Sequence, residues 1–283
     1  MSSSCRVALP EAFFLPTGSG QRFCLFYPPQ GEAPRGSILY LHPFAEELNC
    51  TRRMVAQQAR SLAQAGYGVL QIDLLGCGDS EGEFADATWE AWLQDARHAH
   101  CWLREHASGP LWFWGLRTGA LLATALANAL AERCNFLLWQ PPPSGQQMLQ
   151  QFLRLHTASQ WLDAGNASGQ TPANMLDNGQ PVDIAGYTLT PALARGLAAA
   201  RLEPPSQNPG QLVWLELSAQ AEPVLSPASE KQLAGWRDAG WAVSAQVLTG
   251  PPFWQTVATE EAPSLVQATL DMLAKTAAHT TPP

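Results

Sequence analysis

The stretch that most limits what this chain can fold into runs from Pro110 to Ala131. Leu111-Trp112-Phe113-Trp114 is a short apolar run, and Gly115-Leu116-Arg117-Thr118-Gly119 places two glycines four residues apart. An alanine- and leucine-rich segment, Ala120 to Ala131, follows. This order predicts a buried strand, a sharp turn and a buried helix. Glycines at both ends of the turn let neighbouring backbone approach closely. The middle residue is then held strained at the end of a strand and the start of a helix. That residue is Arg117, whose guanidinium stays protonated and has no lone pair to offer as nucleophile or base.

A chain of 283 residues suits one large domain with an insertion, or two small ones. The hydrophobic share of 46% is ample for a core, while charged residues, at 14%, are few. A formal net charge of −8 argues against a general nucleic-acid or anionic-membrane binder. Cys5, Cys24, Cys50, Cys77, Cys101 and Cys134 are scattered with no Cys-x-x-Cys pair, and are read as reduced core residues of a cytoplasmic protein. Met1 to Leu9 lacks the apolar region of a signal peptide, and no stretch is long and apolar enough to span a bilayer.

Taken in order, Glu11 to Pro16 and Gln21 to Tyr27 form a hairpin about Thr17-Gly18-Ser19-Gly20. Ser37 to Leu41 is a strand leading into His42-Pro43-Phe44, and Thr51 is expected to cap a helix reaching Ala65. Val69 to Asp73 is a strand, Leu74 to Phe84 a loop, and Thr88 opens an amphipathic helix to His106. Asn135 to Trp139 is the strand after the Ala/Leu helix. Residues 144–210 are rich in Gln, Asn, Gly and Pro, with short helical pieces at Met148 to His156 and Pro191 to Ala200. Gln211 to Leu217 and Trp241 to Leu248 are strands, and Ser229 to Ala239 and Ala262 to Ala278 are helices. Strands alternating with helices give an α/β fold, a mostly parallel doubly wound sheet with helices on both faces, whose ligands bind at the strands' carboxyl ends. The expected division is a core of residues 1–140 and 211–283, interrupted by a lid of residues 141–210.

The strand order, the tight turn and Asp73-Leu74-Leu75-Gly76-Cys77-Gly78-Asp79-Ser80 resemble the α/β-hydrolase superfamily, in which D-x-x-G-x-G-x-S follows the fourth strand. Phe44-Ala45-Glu46-Glu47-Leu48-Asn49, Arg52-Arg53-Met54, Trp114-Gly115-Leu116-Arg117 and Gly250-Pro251-Pro252-Phe253-Trp254-Gln255-Thr256 together resemble the exosortase A system-associated hydrolase 2 family. The resemblance covers nearly the whole body and is thin across the lid. It implies an α/β-hydrolase fold, a bacterial cytoplasmic setting, and an association with proteins of an exosortase and exopolysaccharide system. Fold alone does not establish chemistry.

In the superfamily the turn around Arg117 is the nucleophile elbow, G-x-S-x-G, and a serine hydrolase needs there an attacking oxygen or sulfur, with a histidine in reach and an acid behind it. Glu222 stands at the acid position after the strand ending at Leu217. The turn that normally carries the histidine reads Gly250-Pro251-Pro252-Phe253-Trp254, and His279 comes too late in the chain. Two triad members are thus expected to be missing. His42 is read as a structural histidine or an oxyanion-loop residue, Thr118 as a helix cap, Ser80 as structural, and Cys77 as a thiol of low thiolate fraction. His98, His100 and His106 show no metal-ligand spacing, so neither metal nor cofactor is expected.

At the elbow Arg117 meets a helix N-terminus, and the two together suit a carboxylate or phosphate. The competing reading is an internal pair of Arg117 with Glu222, Glu46 or Glu47, since an unpaired buried cation is strongly disfavoured. Glu46 and Glu47 also carry the enzymatic alternative, general acid/base work on a water during ester or thioester hydrolysis. Ligand contacts are expected from His42, Phe44, Thr118, Arg52, Phe253 and Trp254. The ligand is a small molecule or peptide, anionic in the first reading; a catalytically silent scaffold is the remaining alternative. Nucleic acid and membrane insertion are not expected.

Overall fold

The computed structural model describes residues 9–31, 33–130, 132–162, 171–256 and 260–278. The opening segment with Cys5, the helix end at Ala131 and His279 lie outside the described residues. β1 (Glu11–Thr17) and β2 (Gly20–Tyr27) form the expected antiparallel hairpin. β3 (Gly36–Leu41), β4 (Tyr67–Ile72), β5 (Leu111–Leu116), β6 (Asn135–Trp139), β9 (Gln211–Ser218) and β10 (Ala242–Thr249) are parallel. The eight strands lie in the order β1-β2-β4-β3-β5-β6-β9-β10.

The central strands are buried on both faces, as crossover helices require. Their side chains alternate between two cores. On β5, Trp112, Trp114 and Leu116 point toward α1 (Glu46–Gln64) and α8 (Pro263–Ala278), where Met54, Leu62, Leu265 and Leu273 meet them. Phe113 points to the opposite face, among α2 (Trp89–His106), α3 (Thr118–Leu130) and α7 (Pro227–Asp238), whose Trp92, Leu121 and Trp236 fill that core. The two-residue alternation of a strand thus sorts a run of aromatic residues into two layers.

Two local expectations are corrected. Thr88 does cap α2, accepting the Ala91 N–H at 3.0 Å. Thr51 caps nothing: α1 begins at Glu46, and the Thr51 hydroxyl donates to Leu48 O within the helix. The chain enters α1 through Ala45 at φ 50°, and the first turn holds Glu46 and Glu47, which the helix dipole favours there. The five described cysteines are free, and of these Cys24, Cys77 and Cys134 are buried, whereas Cys50 is half-buried and Cys101 exposed, so not all are core residues.

Between β6 and β9 the chain inserts α4 (Gly145–Leu162), α5 (Pro172–Asp177), the hairpin β7 (Val182–Ile184) and β8 (Tyr187–Leu189), and α6 (Pro191–Ala199). The hairpin was not expected. Its two central residues, Ala185 and Gly186, both have positive φ, the tight geometry that matches strand twist, although Ala is a poor signal for it. The insertion packs over the ends of β3 and β4: Phe152 meets Phe44 edge-on, Tyr187 meets Phe84, and Gly196 lies against Trp89 so closely that a Cβ would sit 2.4 Å from it.

Candidate functional site

The turn after β5 has the form its glycines demanded. A Cβ on Gly115 would lie 2.4 Å from Ala120 Cα, and one on Gly119 would lie 2.0 Å from Leu41 O. Arg117 sits at the apex with φ 54°, a conformation that costs a non-glycine residue about 1–3 kcal/mol. The turn is fastened by Arg117 N–H donating to Trp139 O at 3.0 Å and Ala120 N–H donating to Arg117 O at 2.9 Å. Thr118 is therefore already inside α3. Its hydroxyl is buried without a partner among the described residues, so it is not the expected cap.

The Arg117 side chain is 8% exposed. Its Nε donates to Glu47 Oε1 at 3.2 Å, while Nη2 donates to the same oxygen at 3.0 Å and to Gln151 Oε1 of α4 at 2.8 Å. The guanidinium carbon lies 5.6 Å from the centroid of the Trp254 ring, in reach of a cation–π contact. Of the three carboxylates considered from the sequence, Glu47 is the partner. Burial pushes its carboxyl above the ordinary range, and the charge and hydrogen bonds of Arg117 pull it partly back. Glu46, one residue earlier and so about 100° around the helix, accepts instead from Tyr187 OH at 3.2 Å, which in turn accepts from Asn49 Nδ2. Glu222 lies exposed beyond β9, and no described hydrogen bond or ion pair joins it to Arg117.

Beside this pair opens a cavity of about 690 Å³. Phe44, Met148, Phe152, Leu155 and Trp254 form its apolar walls; Glu46, Glu47, Cys50, Gln151 and Gln255 supply polar atoms. Phe253 does not line it. That ring is buried against Trp139 and Trp254 and sets the position of Trp254. Arg52 is also elsewhere: its Nη2 donates to Asp73 Oδ2 at 2.9 Å, the atom that accepts the Asp79 N–H at 3.0 Å, and it borders a separate cleft with Tyr40 and Gln71. His42 is held in one tautomer, Nδ1–H donating to Pro43 O at 2.7 Å and Nε2 accepting Leu74 N–H at 3.3 Å. Burial lowers its pKa, so the neutral ring is favoured, and both nitrogens are occupied by backbone. Ser80 is likewise committed, to Phe23 N–H and Asp73 O, and burial pushes the Cys77 thiol well up. No group of three His, Cys, Asp or Glu side chains suited to a metal occurs among the described residues.

The sheet order, the crossovers and the strained turn can be set beside known proteins. Est1E from Butyrivibrio proteoclasticus superposes with a TM-score of 0.63 at 14% identity, covering 94% of this chain and 99% of that one. XC6422 from Xanthomonas campestris, a serine hydrolase without a lid, gives 0.57 at 15% identity over 97% of both. The chain has the α/β-hydrolase fold. A family model for serine aminopeptidase, S33, matches residues 32–164 of this α/β-hydrolase-fold protein. Lysophosphatidylserine lipase ABHD12 of Xenopus tropicalis is 33% identical over 97 residues, 34% of this chain and 24% of that protein. The uncharacterized protein RP471 of Rickettsia prowazekii is 33% identical over 113 residues, 39% of this chain and 46% of that one. The chain thus spans about a quarter of the ABHD12 relative and under half of the Rickettsia protein.

Sequence reasoning passed over Gln151 and Tyr187, which bond the Arg117 and Glu46 side chains, and the cavity walls Met148, Phe152 and Leu155. Gln151 belongs to the glutamine-rich run Gln146 to Gln151, whose four-residue step from Gln147 to Gln151 marks one helix face. Tyr187 had no signal, because its role depends on a hairpin that was not foreseen.

Proposed function

We propose that this α/β-hydrolase-fold protein binds a ligand with an apolar body and does not perform serine-type hydrolysis. The observation that carries the reading is the apex residue: a guanidinium, already bonded by Glu47 and Gln151, occupies the turn from which a nucleophile would attack. The Gly250–Trp254 loop supplies an indole to the cavity and no imidazole. The apolar body fits along Phe44, Met148, Phe152 and Trp254. A carboxylate or phosphate end reaches Arg117 by displacing Glu47, whose burial already favours taking up the proton that keeps the site neutral. The name of a curated relative, a lysophosphatidylserine lipase, is consistent with an amphiphile of this kind. In this reading residues 141–210 act as a lid. The resemblance to the exosortase A system-associated family adds a cytoplasmic, exopolysaccharide-linked setting.

The test pairs a fluorophosphonate probe with binding of myristate. No covalent labelling, saturable myristate binding, and at least tenfold weaker binding by Met148→Glu are expected. Stoichiometric labelling of any side chain, or binding indifferent to Met148→Glu, rejects the proposal; no myristate binding at all favours a silent scaffold. A second reading draws on the raised carboxyl of Glu47, which lines the cavity and could activate water. It requires turnover of short esters or thioesters that vanishes in both Glu46→Gln and Glu47→Gln.

A further inference from the structure

Arg117 has a second side. Its Nη1 makes no hydrogen bond among the described residues, although the residue is more than nine-tenths buried. A second cavity of about 230 Å³ is walled by Arg117, Gln140, Gln147, Glu216, Ser229 and Gln232. Its character differs from that of the large cavity: three primary amides, a carboxylate, a guanidinium and hydroxyls stand among Pro141, Pro142, Pro143, Trp214 and Ala228.

The groups left open there are both donors and acceptors. Gln140 Oε1 accepts the Leu217 N–H at 2.8 Å, which turns its amide nitrogen into the remaining donor. Glu216 Oε1 accepts Trp214 Nε1–H at 2.7 Å, leaving the second carboxylate oxygen as an acceptor. At the start of α7, Ser226 Oγ takes the Ser229 N–H at 3.0 Å and Pro227 has no N–H, so the Ala228 N–H remains a donor without a partner among the described residues.

Charge decides which ligand chemistry fits. The positive charge of Arg117 is already matched by Glu47, and Glu216 adds a second carboxylate, so an anion would enter against net negative charge. An apolar group would give no partner to Arg117 Nη1–H or to the open polar atoms of the half-buried Gln140, Glu216 and Gln232. A neutral molecule bearing several hydroxyls satisfies both sets: one hydroxyl accepts from Arg117 Nη1–H, another donates to Glu216, and the glutamine amides do either. The volume lies below the ~300 Å³ at which pockets for drug-sized molecules begin, which points to a single sugar ring. We infer that this pocket binds a neutral monosaccharide unit. The inference goes beyond the function proposed above and shares only Arg117 with it, through a different nitrogen.

Saturation-transfer-difference NMR on the full chain tests it with D-glucose, D-galactose, D-mannose and N-acetyl-D-glucosamine, and with sodium acetate and acetamide as small competitors. At least one sugar is expected to bind saturably in the millimolar range, and neither competitor is expected to displace it. Gln232→Leu is expected to weaken that sugar at least fivefold, while thermal stability and the binding of Nile red in the large cavity stay as in the parent. Silence from all four sugars, displacement by acetate or acetamide, or full sugar binding by Gln232→Leu overturns the inference. Loss of Nile red binding in Met148→Glu with sugar binding intact separates the two cavities, so either assignment can fail without the other.

Discussion

Among the described residues two arginines are buried, and they are used differently. Arg22, on the β1–β2 hairpin, is fully buried against protein: Nε lies 2.9 Å from Asp95 Oδ1 as an ion pair without hydrogen-bond geometry, Nη1 donates to Gln21 O, and Nη2 to Ser19. Asp95 in turn takes the Leu75 N–H at 2.8 Å. Arg117 is nearly as buried, yet it sits between two cavities, keeps one nitrogen without a partner among the described residues, and is reached by a carboxylate that itself borders open space. A buried ion pair whose groups are all committed holds two elements together. One that leaves a donor open at a cavity is, under the function proposed above, the one a ligand engages.

The contrast is broken most directly by truncation. Arg22→Ala strands Asp95 in the core and is expected to cost about 3–5 kcal/mol in denaturant unfolding. If Arg22→Ala unfolds no more easily than the parent, the hairpin pair is not structural. Glu47→Ala should cost less, about 2–3 kcal/mol, because Arg117 keeps Gln151 and can hydrate through the cavity. The double variant Arg117→Met with Glu47→Leu is expected to recover most of that loss, since matched apolar replacements remove the desolvation penalty with the charge. A double variant as unstable as Glu47→Ala would show that the pair contributes more than mutual neutralisation.

The smallest effect sharpens the comparison at His42. Burial lowers its folded pKa below the ordinary 6.5, so above that value the ring is neutral in both states. As pH falls through 6.5 the unfolded chain takes a proton that the folded ring refuses, and stability is lost by up to ~1.4 kcal/mol per pH unit. Glu47 and Asp95, whose carboxyls burial raises, act in the opposite direction, so slope alone does not identify the histidine. Melting of the parent and His42→Gln at pH 7.5, 6.5 and 5.5 is the measurement. A flatter profile in His42→Gln is expected, and parallel profiles would remove His42 from the account.

Much of the fold could be read along the chain because the signals were local. The Gly115–Gly119 spacing, the alternation of Trp112, Phe113 and Trp114, and the Thr88 cap each depend on residues a few positions apart. The start of α1 was misplaced by six residues, because Thr51 offers a good capping hydroxyl while Ala45 gives no hint of a positive φ. That error had consequences for the site. With the helix beginning at Glu46, the two adjacent carboxylates are carried a quarter-turn apart and meet different partners, Tyr187 and Arg117. Arg52 and Phe253 were placed with the ligand on sequence position alone. Packing assigned one to Asp73 and the other to the aromatic core.

What the sequence by itself determined was the chemistry available at the turn: a cation that cannot give up its proton, fixed at the apex by two glycines no other residue could replace. Which carboxylate answers that cation, and what its remaining nitrogen faces, was decided only when segments 70 and 34 positions away were brought against it. A charge carries no record of its partner along the chain; helix phase and the insertion's packing select one, because a buried guanidinium takes whichever acceptors the closed structure leaves within reach.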